Sequence, residues 1–332
     1  MESDERSATA DAEGVAADDA RPSLLVLMGP TGVGKTRVAV EICQRFGGEI
    51  VGADSVQVYR GFNAGSSKPV ASELRGVRHH LIDVLEPDAA IDAVGFAARA
   101  DAAIDDIRAR GAVPVIVGGT GLWLRALLRG LVDVPAVDPA LRAALEREWD
   151  RQGPDAMHRR LAAVDARTAL RVHAHDRLRV VRALEVHAQT GVALGDLRAA
   201  HRRGEPLHRT LALVLDIDLP HWRERIAART RAMLARGWVD EVRGLVERYG
   251  QTPRALGSVG YRQVLEHVVR GAPAATLETL ITRATHGYGR RQRTWFKSDP
   301  DVSLRVTPDE CLRPPVLDRI EAHVRRVVPS SA

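Results

Sequence analysis

Apolar runs of five or six residues recur along the first half of the chain, each closed by glycine or a polar residue. Leu24-Leu25-Val26-Leu27-Met28 is the first, and Glu49 to Asp54, Leu81 to Leu85 and Val113 to Val117 follow. Runs this short and this rich in Val, Ile and Leu read as strands buried on both faces. Between them the period lengthens. Val38, Ile42 and Phe46 fall four apart, on one face of a helix that stops at Gly47-Gly48. Asp92 to Arg110 is a second helical stretch, closed by Gly111, which suits the left-handed position after a helix end. Strands alternating with helices predict a parallel sheet covered on both faces.

From Asp138 to about Ala200 the character changes. This stretch is rich in Ala and Arg, reads as helical and contains no strand run; Asp138-Pro139 and Gly153-Pro154 mark helix starts. Leu211 to Asp216 then returns as a strand, with helices expected from there to the C-terminus. That order describes a helical insertion within an α/β core. The expected division is an acidic, disordered tail over 1–21, the first part of the core over 22–134, the helical insertion over 135–204, the second part of the core over 205–305, and a C-terminal helix and tail over 306–332.

Composition narrows the class. At 332 residues with 45% hydrophobic and 27% charged, the chain has an ordinary globular composition. No apolar stretch reaches the roughly 18 residues of a membrane span, and the N-terminus lacks the basic-then-apolar pattern of a secretory signal. Cys43 and Cys311 stand without metal-ligand or redox spacing and read as unpaired thiols of a cytoplasmic protein. The net charge of +5 hides an asymmetry: residues 1–20 carry −6, leaving +11 on the rest. A basic body suits a polyanion such as RNA.

The chemistry concentrates at Gly29-Pro30-Thr31-Gly32-Val33-Gly34-Lys35-Thr36, directly after the first strand run. It fits G-x-x-x-x-G-K-[ST], in which glycines let a loop turn its N–H groups around a diphosphate. Lys35 is one of only three lysines among 48 Lys and Arg, the others being Lys68 and Lys297. A compact ammonium fits where a planar guanidinium does not. The Thr36 hydroxyl suits a magnesium ion. Asp54, at the end of the second strand run, admits two readings: a base that accepts a proton beside the phosphate loop, or a cap of the following turn. The strand at Val113 to Val117 ends in Gly118-Gly119-Thr120, not in the magnesium-linked carboxylate of many nucleotide hydrolases. Asp83 and Asp216 remain as candidates for that carboxylate.

The ordered set GPTGVGKT (29–36), DSVQVYRG (54–61), KP (68–69), HHLIDV (79–84), VGGTGLWLRAL (117–127), RALE (182–185), VGYRQ (259–263) and RRQRTWF (290–296) resembles the tRNA dimethylallyltransferase family, also called tRNA isopentenyltransferases. The likeness runs from about Ser23 to Phe296. It departs at Gly65-Ser66-Ser67-Lys68-Pro69, where the family often has G-T-x-K-P, at Trp123 for a common Tyr, and at Arg290 for a common Lys.

The resemblance implies a P-loop NTPase-like parallel sheet with an inserted all-helical domain. It implies transfer of a prenyl group from dimethylallyl diphosphate to N6 of the adenosine 3′ to the anticodon, in tRNAs reading codons that begin with U. Magnesium is the implied cofactor, the anticodon stem-loop the implied partner, and a monomer the expected state. In this reading Asp54 is the base, and Lys35, with Arg229, meets the diphosphate. Thr31 and Thr120 line the reaction channel, and Thr36 holds the metal. Ser55, Val56 and Gln57 match a base-contacting segment. Arg142, the run Leu178, Arg179, Val180, Val181 and Arg182, and the run Gly257, Ser258, Val259, Gly260, Tyr261 and Arg262 match tRNA-contacting regions. Arg179 and Arg182, three apart, share a helix face that suits adjacent phosphates.

Two other readings stand beside this one. A small-molecule kinase would use the same loop to hold ATP, and a basic RNA-binding protein would have no use for Asp54. Arg229 also fits a solvated helix face shared with Arg225. His79, His80, His173 and His175 lack the partners of a zinc site and read as packing or surface residues.

Overall fold

The structure is a computed structural model that describes residues 23–201 and 206–325; the expected acidic tail, the end of the insertion at 202–204 and residues 326–332 lie outside the described residues. The described chain divides into two compact units, one formed by 23–128 and 207–325, the other by 129–206.

The first unit is built on six parallel strands: β1 (Ser23–Met28), β2 (Gly48–Ala53), β3 (His79–His80), β4 (Val113–Gly118), β5 (Arg209–Leu215) and β6 (Leu304–Val306). Their order across the sheet is β3-β2-β4-β1-β5-β6. β1 lies at the centre, Leu27 facing Val117 of β4 on one side and Leu213 of β5 on the other. Both faces of β1 and β4 are buried, which is why these strands read as unbroken apolar runs. Ligands in such folds sit beyond the carboxyl ends of the strands, and Gly29, Asp54 and Gly119 all follow such ends.

The helices cover the faces. α1 (Lys35–Phe46) packs Val38 and Ile42 into the core and stops at Gly47, whose φ is 66°. α2 (Ala71–Leu74) is a single turn, and α3 (Ala93–Ala109) is capped by Asp92, which accepts the Gly95 N–H at 2.8 Å. α4 (Gly121–Arg129) seats Trp123 against Phe96 of α3, their rings 4.4 Å apart.

The second unit holds α5 (Pro139–Gln152), α6 (Pro154–Val164), α7 (Ala166–Ala169), α8 (Arg177–Thr190) and α9 (Leu194–His201). Asp138 caps α5 by accepting the Ala140 and Leu141 N–H groups at 2.8 and 3.1 Å. The core of this unit includes Leu145, Trp149, Met157, Leu161, Val180, Val181 and Leu184.

The chain then re-enters the sheet as β5 and continues through α10 (Leu219–Ala235), α11 (Trp238–Tyr249), α12 (Tyr261–Arg270), α13 (Ala274–Lys297) and α14 (Val316–Arg325). α13 is 24 residues long and crosses α10 at Gly289, where a Cβ would come within 2.3 Å of the Trp222 ring. Among the described residues no helix is long and apolar enough to cross a membrane.

Two segments depart from the sequence pattern. The strand expected over 81–85 is a turn: Leu81 and Asp83 have φ of 63° and 55°, and Asp83 accepts the buried Lys68 ammonium at 2.5 Å. Lys68 also donates to Tyr59 O and Asn63 Oδ1, so the segment is tied to the 57–68 loop, with only Leu85 bridging to Tyr59. β6 has no signature in the pattern because two half-buried residues flanking the exposed Arg305 at a sheet edge leave no apolar run.

Candidate active site

At the end of β1 the chain turns sharply into the phosphate-loop sequence. A Cβ on Gly29 would stand 2.3 Å from Leu215 O, so only glycine fits there. Gly34 has a φ of 103° and hands the chain to α1, whose first residue is Lys35. The Lys35 ammonium donates to Gly29 O and Pro30 O, both at 3.0 Å, and so spans the loop. The helix N-terminus and the loop N–H groups form an anion-binding cradle.

A residue from the far end of the chain holds this loop in shape. Gln292 of α13 accepts the Thr31 N–H at 2.9 Å and donates to Gly119 O at 2.9 Å. It thereby ties the loop after β1 to the loop after β4. Trp222 of α10 donates to Thr31 O at 2.9 Å from the other side.

A cavity of about 590 Å³ opens over this cradle. Lys35, Thr36, Arg225, Arg229, Arg236, Asp54 and Gln57 all line it. Arg229 is fixed by donating from Nε to Ser67 Oγ at 2.9 Å. Arg225 lines the same cavity with its guanidinium packed against Gly34, so the two arginines one turn apart on α10 form one cationic wall. The crowding is legible in the proton affinities. Desolvation, then the charge of Arg229, pull Lys35 down to about 8, against the opposing pull of Asp54. Desolvation lowers Arg229 too, with Asp54 again opposing. Three cations that pair with no carboxylate among the described residues favour a multiply charged anion.

Asp54 divides its two oxygens. Oδ1 accepts the Val56 and Gln57 N–H groups at 2.9 and 3.3 Å, forming the turn that starts the 55–60 loop. Oδ2 accepts no hydrogen bond from any described residue and is left to the cavity. Thr120 N donates to Ala53 O at 3.4 Å, and Thr120 Oγ1 accepts the Ser55 N–H at 3.3 Å, so the ends of β2 and β4 are joined beside Asp54. Gln57 commits its amide nitrogen to Ser66 O at 3.0 Å.

Asp83 and Asp216, the alternative strand-end carboxylates, are engaged elsewhere. Asp83 pairs with Lys68 at 2.5 Å and Asp216 with Arg293 at 2.6 Å. Among the described residues no group of three His, Cys, Asp or Glu is placed to hold a metal.

Other expected residues sit in different surroundings. In the helical unit, Arg142 and Arg182 converge on the fully buried carboxylate of Glu185, and Arg182 also donates to Pro135 O at 2.7 Å. Val180 and Val181 are core residues, 0% and 2% exposed, so their side chains pack within the helical unit. Leu178 and Arg179 point outward, 73% and 65% exposed. In the first unit, Gly257 and Arg262 are exposed and Ser258 and Val259 half-buried. Gly260 and Tyr261 are buried, the Tyr261 hydroxyl donating to Glu241 Oε1 at 2.7 Å. Glu241 also accepts the N–H groups of Asn63, Ala64 and Gly65, which fixes the loop below Ser66 and Ser67.

Gln292, Tyr288, Arg236 and Glu241 join the site without a motif signal for their roles. Gln292 falls within RRQRTWF, and a polar residue on the apolar stripe of a long helix is the one trace it leaves in the sequence.

A family model described as IPP transferase matches residues 57–299 of this chain. The chain belongs to that family. Curated tRNA dimethylallyltransferases are similar to it along most of their length. The enzyme of Sorangium cellulosum is 47% identical over 285 residues, 86% of this chain and 90% of its own. That of Anaeromyxobacter sp. (strain K) is 44% identical over 308 residues, covering 92% and 97%. Among solved structures, the tRNA isopentenylpyrophosphate transferase of Bacillus halodurans aligns with a TM-score of 0.67 at 29% identity, covering 92% of this chain and 98% of the other. A eukaryotic dimethylallyltransferase acting on tRNA aligns with a TM-score of 0.71 at 26% identity, covering 91% and 78%. This IPP transferase family member thus shares the parallel sheet with flanking helices and the inserted helical unit of its solved relatives.

Proposed function

We propose that this protein transfers the dimethylallyl group of dimethylallyl diphosphate to N6 of the adenosine 3′ to the anticodon, in tRNAs reading codons that begin with U. The observation that carries this reading is the placement of the uncommitted Asp54 Oδ2 in the same cavity as the cationic cradle of Lys35, Arg225 and Arg229. A prenyl transfer needs both at once: a leaving-group site, and a proton acceptor for a weakly nucleophilic amine.

The amine lone pair of N6 attacks C1 of the prenyl group while the C1–O bond to diphosphate breaks. Asp54 Oδ2 orients the amine and takes its proton as the C–N bond forms. The negative charge that grows on the departing diphosphate meets the loop N–H groups, Lys35 and Arg229. Thr31, held by Gln292 and Trp222, and Thr120, joined to Ser55, keep the two loops at fixed separation around the reacting atoms.

Magnesium fits this donor set as a shared ligand. Thr36 offers a hard oxygen in the cavity, and an ion that keeps several waters and binds substrate phosphates needs no cage of carboxylates. When bound beside Thr36 it would supply further neutralisation of the diphosphate.

The anticodon stem-loop is the proposed macromolecular partner, with Ser55, Val56 and Gln57 nearest the base, Arg179 and Leu178 on the exposed face of α8, and Gly257, Ser258, Val259 and Arg262 on the surface of the first unit. The buried, unpaired Cys43 and Cys311 suit a cytoplasmic location.

Incubation with dimethylallyl diphosphate, magnesium and unmodified tRNA, followed by nucleoside mass analysis, tests the proposal. N6-isopentenyladenosine at the position 3′ to the anticodon is expected. Unmodified adenosine at that position in the recovered tRNA would overturn it.

A further inference from the structure

Tyr288 of α13 lines the reaction cavity, yet neither the motif reading nor the proposed mechanism uses it. Its hydroxyl lies near the Thr120 side chain and in the field of Asp54. The Arg291 guanidinium stands 5.9 Å from its ring centre.

Thr120 Oγ1 accepts the Ser55 N–H at 3.3 Å. The Tyr288 phenol carries one hydrogen, and its side chain lines the cavity that Asp54 and the cationic cradle share, so that hydrogen is available to a ligand bound there. Burial and the neighbouring carboxylate push the phenol up to about 12, so it stays a donor throughout the neutral range.

The cavity therefore presents an acceptor, Asp54 Oδ2, just past the end of β2, and a donor, the Tyr288 hydroxyl, from the middle of α13. Adenine offers the complement. Its N6 amine donates, and a ring nitrogen beside it accepts: N1 on one edge, N7 on the other. Guanine has a carbonyl oxygen where adenine has the amine, which would face Asp54 with like charge.

We infer that the Tyr288 hydroxyl donates to a ring nitrogen flanking N6 of the target adenine, making Tyr288 a specificity-determining residue for the base. The inference rests on the proposed transfer to adenosine.

The test uses the full-length protein and Tyr288→Phe, with anticodon stem-loops carrying adenosine, 1-deazaadenosine or 7-deazaadenosine at the target position. Phenylalanine keeps the ring and removes only the hydroxyl. On adenosine the variant should lose about 5-fold in kcat/KM, the worth of one neutral hydrogen bond, with its affinity for dimethylallyl diphosphate unchanged. One deaza analogue should cost the wild type a similar factor and cost Tyr288→Phe nothing further. The analogue that shows this coupling identifies the edge, N1 or N7. Losses that simply multiply for both analogues overturn the inference while leaving the reaction standing. A wild type that leaves the adenosine loop unprenylated overturns the reaction, and the inference with it.

Discussion

Arg182 Nη1 donates to Glu185 Oε2 at 3.0 Å, and that carboxylate has no exposed surface. Arg142 reaches the same oxygen, and Glu185 Oε1 accepts the Asp138 N–H at 3.1 Å. A buried charge needs its partners, because removing one leaves the other uncompensated. Arg182 therefore braces the helical unit, whereas Arg179, three residues earlier, is exposed and pairs with Asp176 at 3.4 Å.

The two arginines should separate in experiment. Arg182→Ala should destabilise the protein by about 2–4 kcal/mol, since Arg142 still compensates part of the charge. Arg179→Glu should leave the urea midpoint nearly unchanged. It should instead weaken tRNA binding and make the salt dependence of that binding shallower. Equal unfolding midpoints for the two variants would contradict the brace.

Asp54→Asn tests the division of labour between the two oxygens. The amide oxygen still accepts the Val56 N–H, so the melting temperature should stay near wild type. It cannot accept a proton, and single-turnover prenylation should fall by about 100-fold or more. Asp54→Ala should lose the same activity and also about 1 kcal/mol of stability with the turn. A near-normal single-turnover rate for Asp54→Asn would reduce Asp54 to a turn former.

Lys35 gives a pH signature. Its folded value is lowered to about 8 from an unfolded 10.5, so between these limits the unfolded chain holds the extra proton. Stability contributed by this group therefore rises with pH across that window, the charged form being the one burial opposes. Ligand binding runs the other way. A diphosphate favours the ammonium, so affinity for dimethylallyl diphosphate should be greatest below pH 8 and decline above it. Lys35→Met should bind more weakly at pH 7 and show a flatter profile. Calorimetric titration between pH 6.5 and 9.5 reads both; an affinity that climbs with pH in the wild type would refute the assignment.

Gln292→Leu should act at a distance from the reacting atoms. Leucine fills the space but strands the Thr31 N–H and the Gly119 carbonyl, a cost of about 1 kcal/mol for each half-buried group left unsatisfied. The melting temperature should drop. The KM for dimethylallyl diphosphate should rise more than that for tRNA, because the loop released is the one that cradles phosphate. Gln292→Glu, which still accepts from Thr31 but cannot donate to Gly119, should fall between wild type and leucine.

Much of the core could be read in one dimension because its causes are local. β1 and β4 are buried on both faces, so their sequences are apolar without interruption, and the glycines at 29, 32 and 34 mark a loop that needs positive φ. Helix starts at Asp92 and Asp138 are written in the residues that cap them. The segment at 81–85 misled for the opposite reason: its five residues suit a strand, but Lys68, buried fifteen residues away, takes Asp83 into a turn. The partners of side chains were not legible. Gln292 meets Thr31 across 261 residues of sequence, and Arg182 spends its charge on a glutamate that only burial makes demanding. Nor does the sequence say which oxygen of Asp54 caps a turn and which remains for chemistry, since both readings use the same residue. Backbone preference is set by neighbours along the chain, and hydrogen-bond and charge partners by whichever remote atoms the packed fold brings within 3 Å.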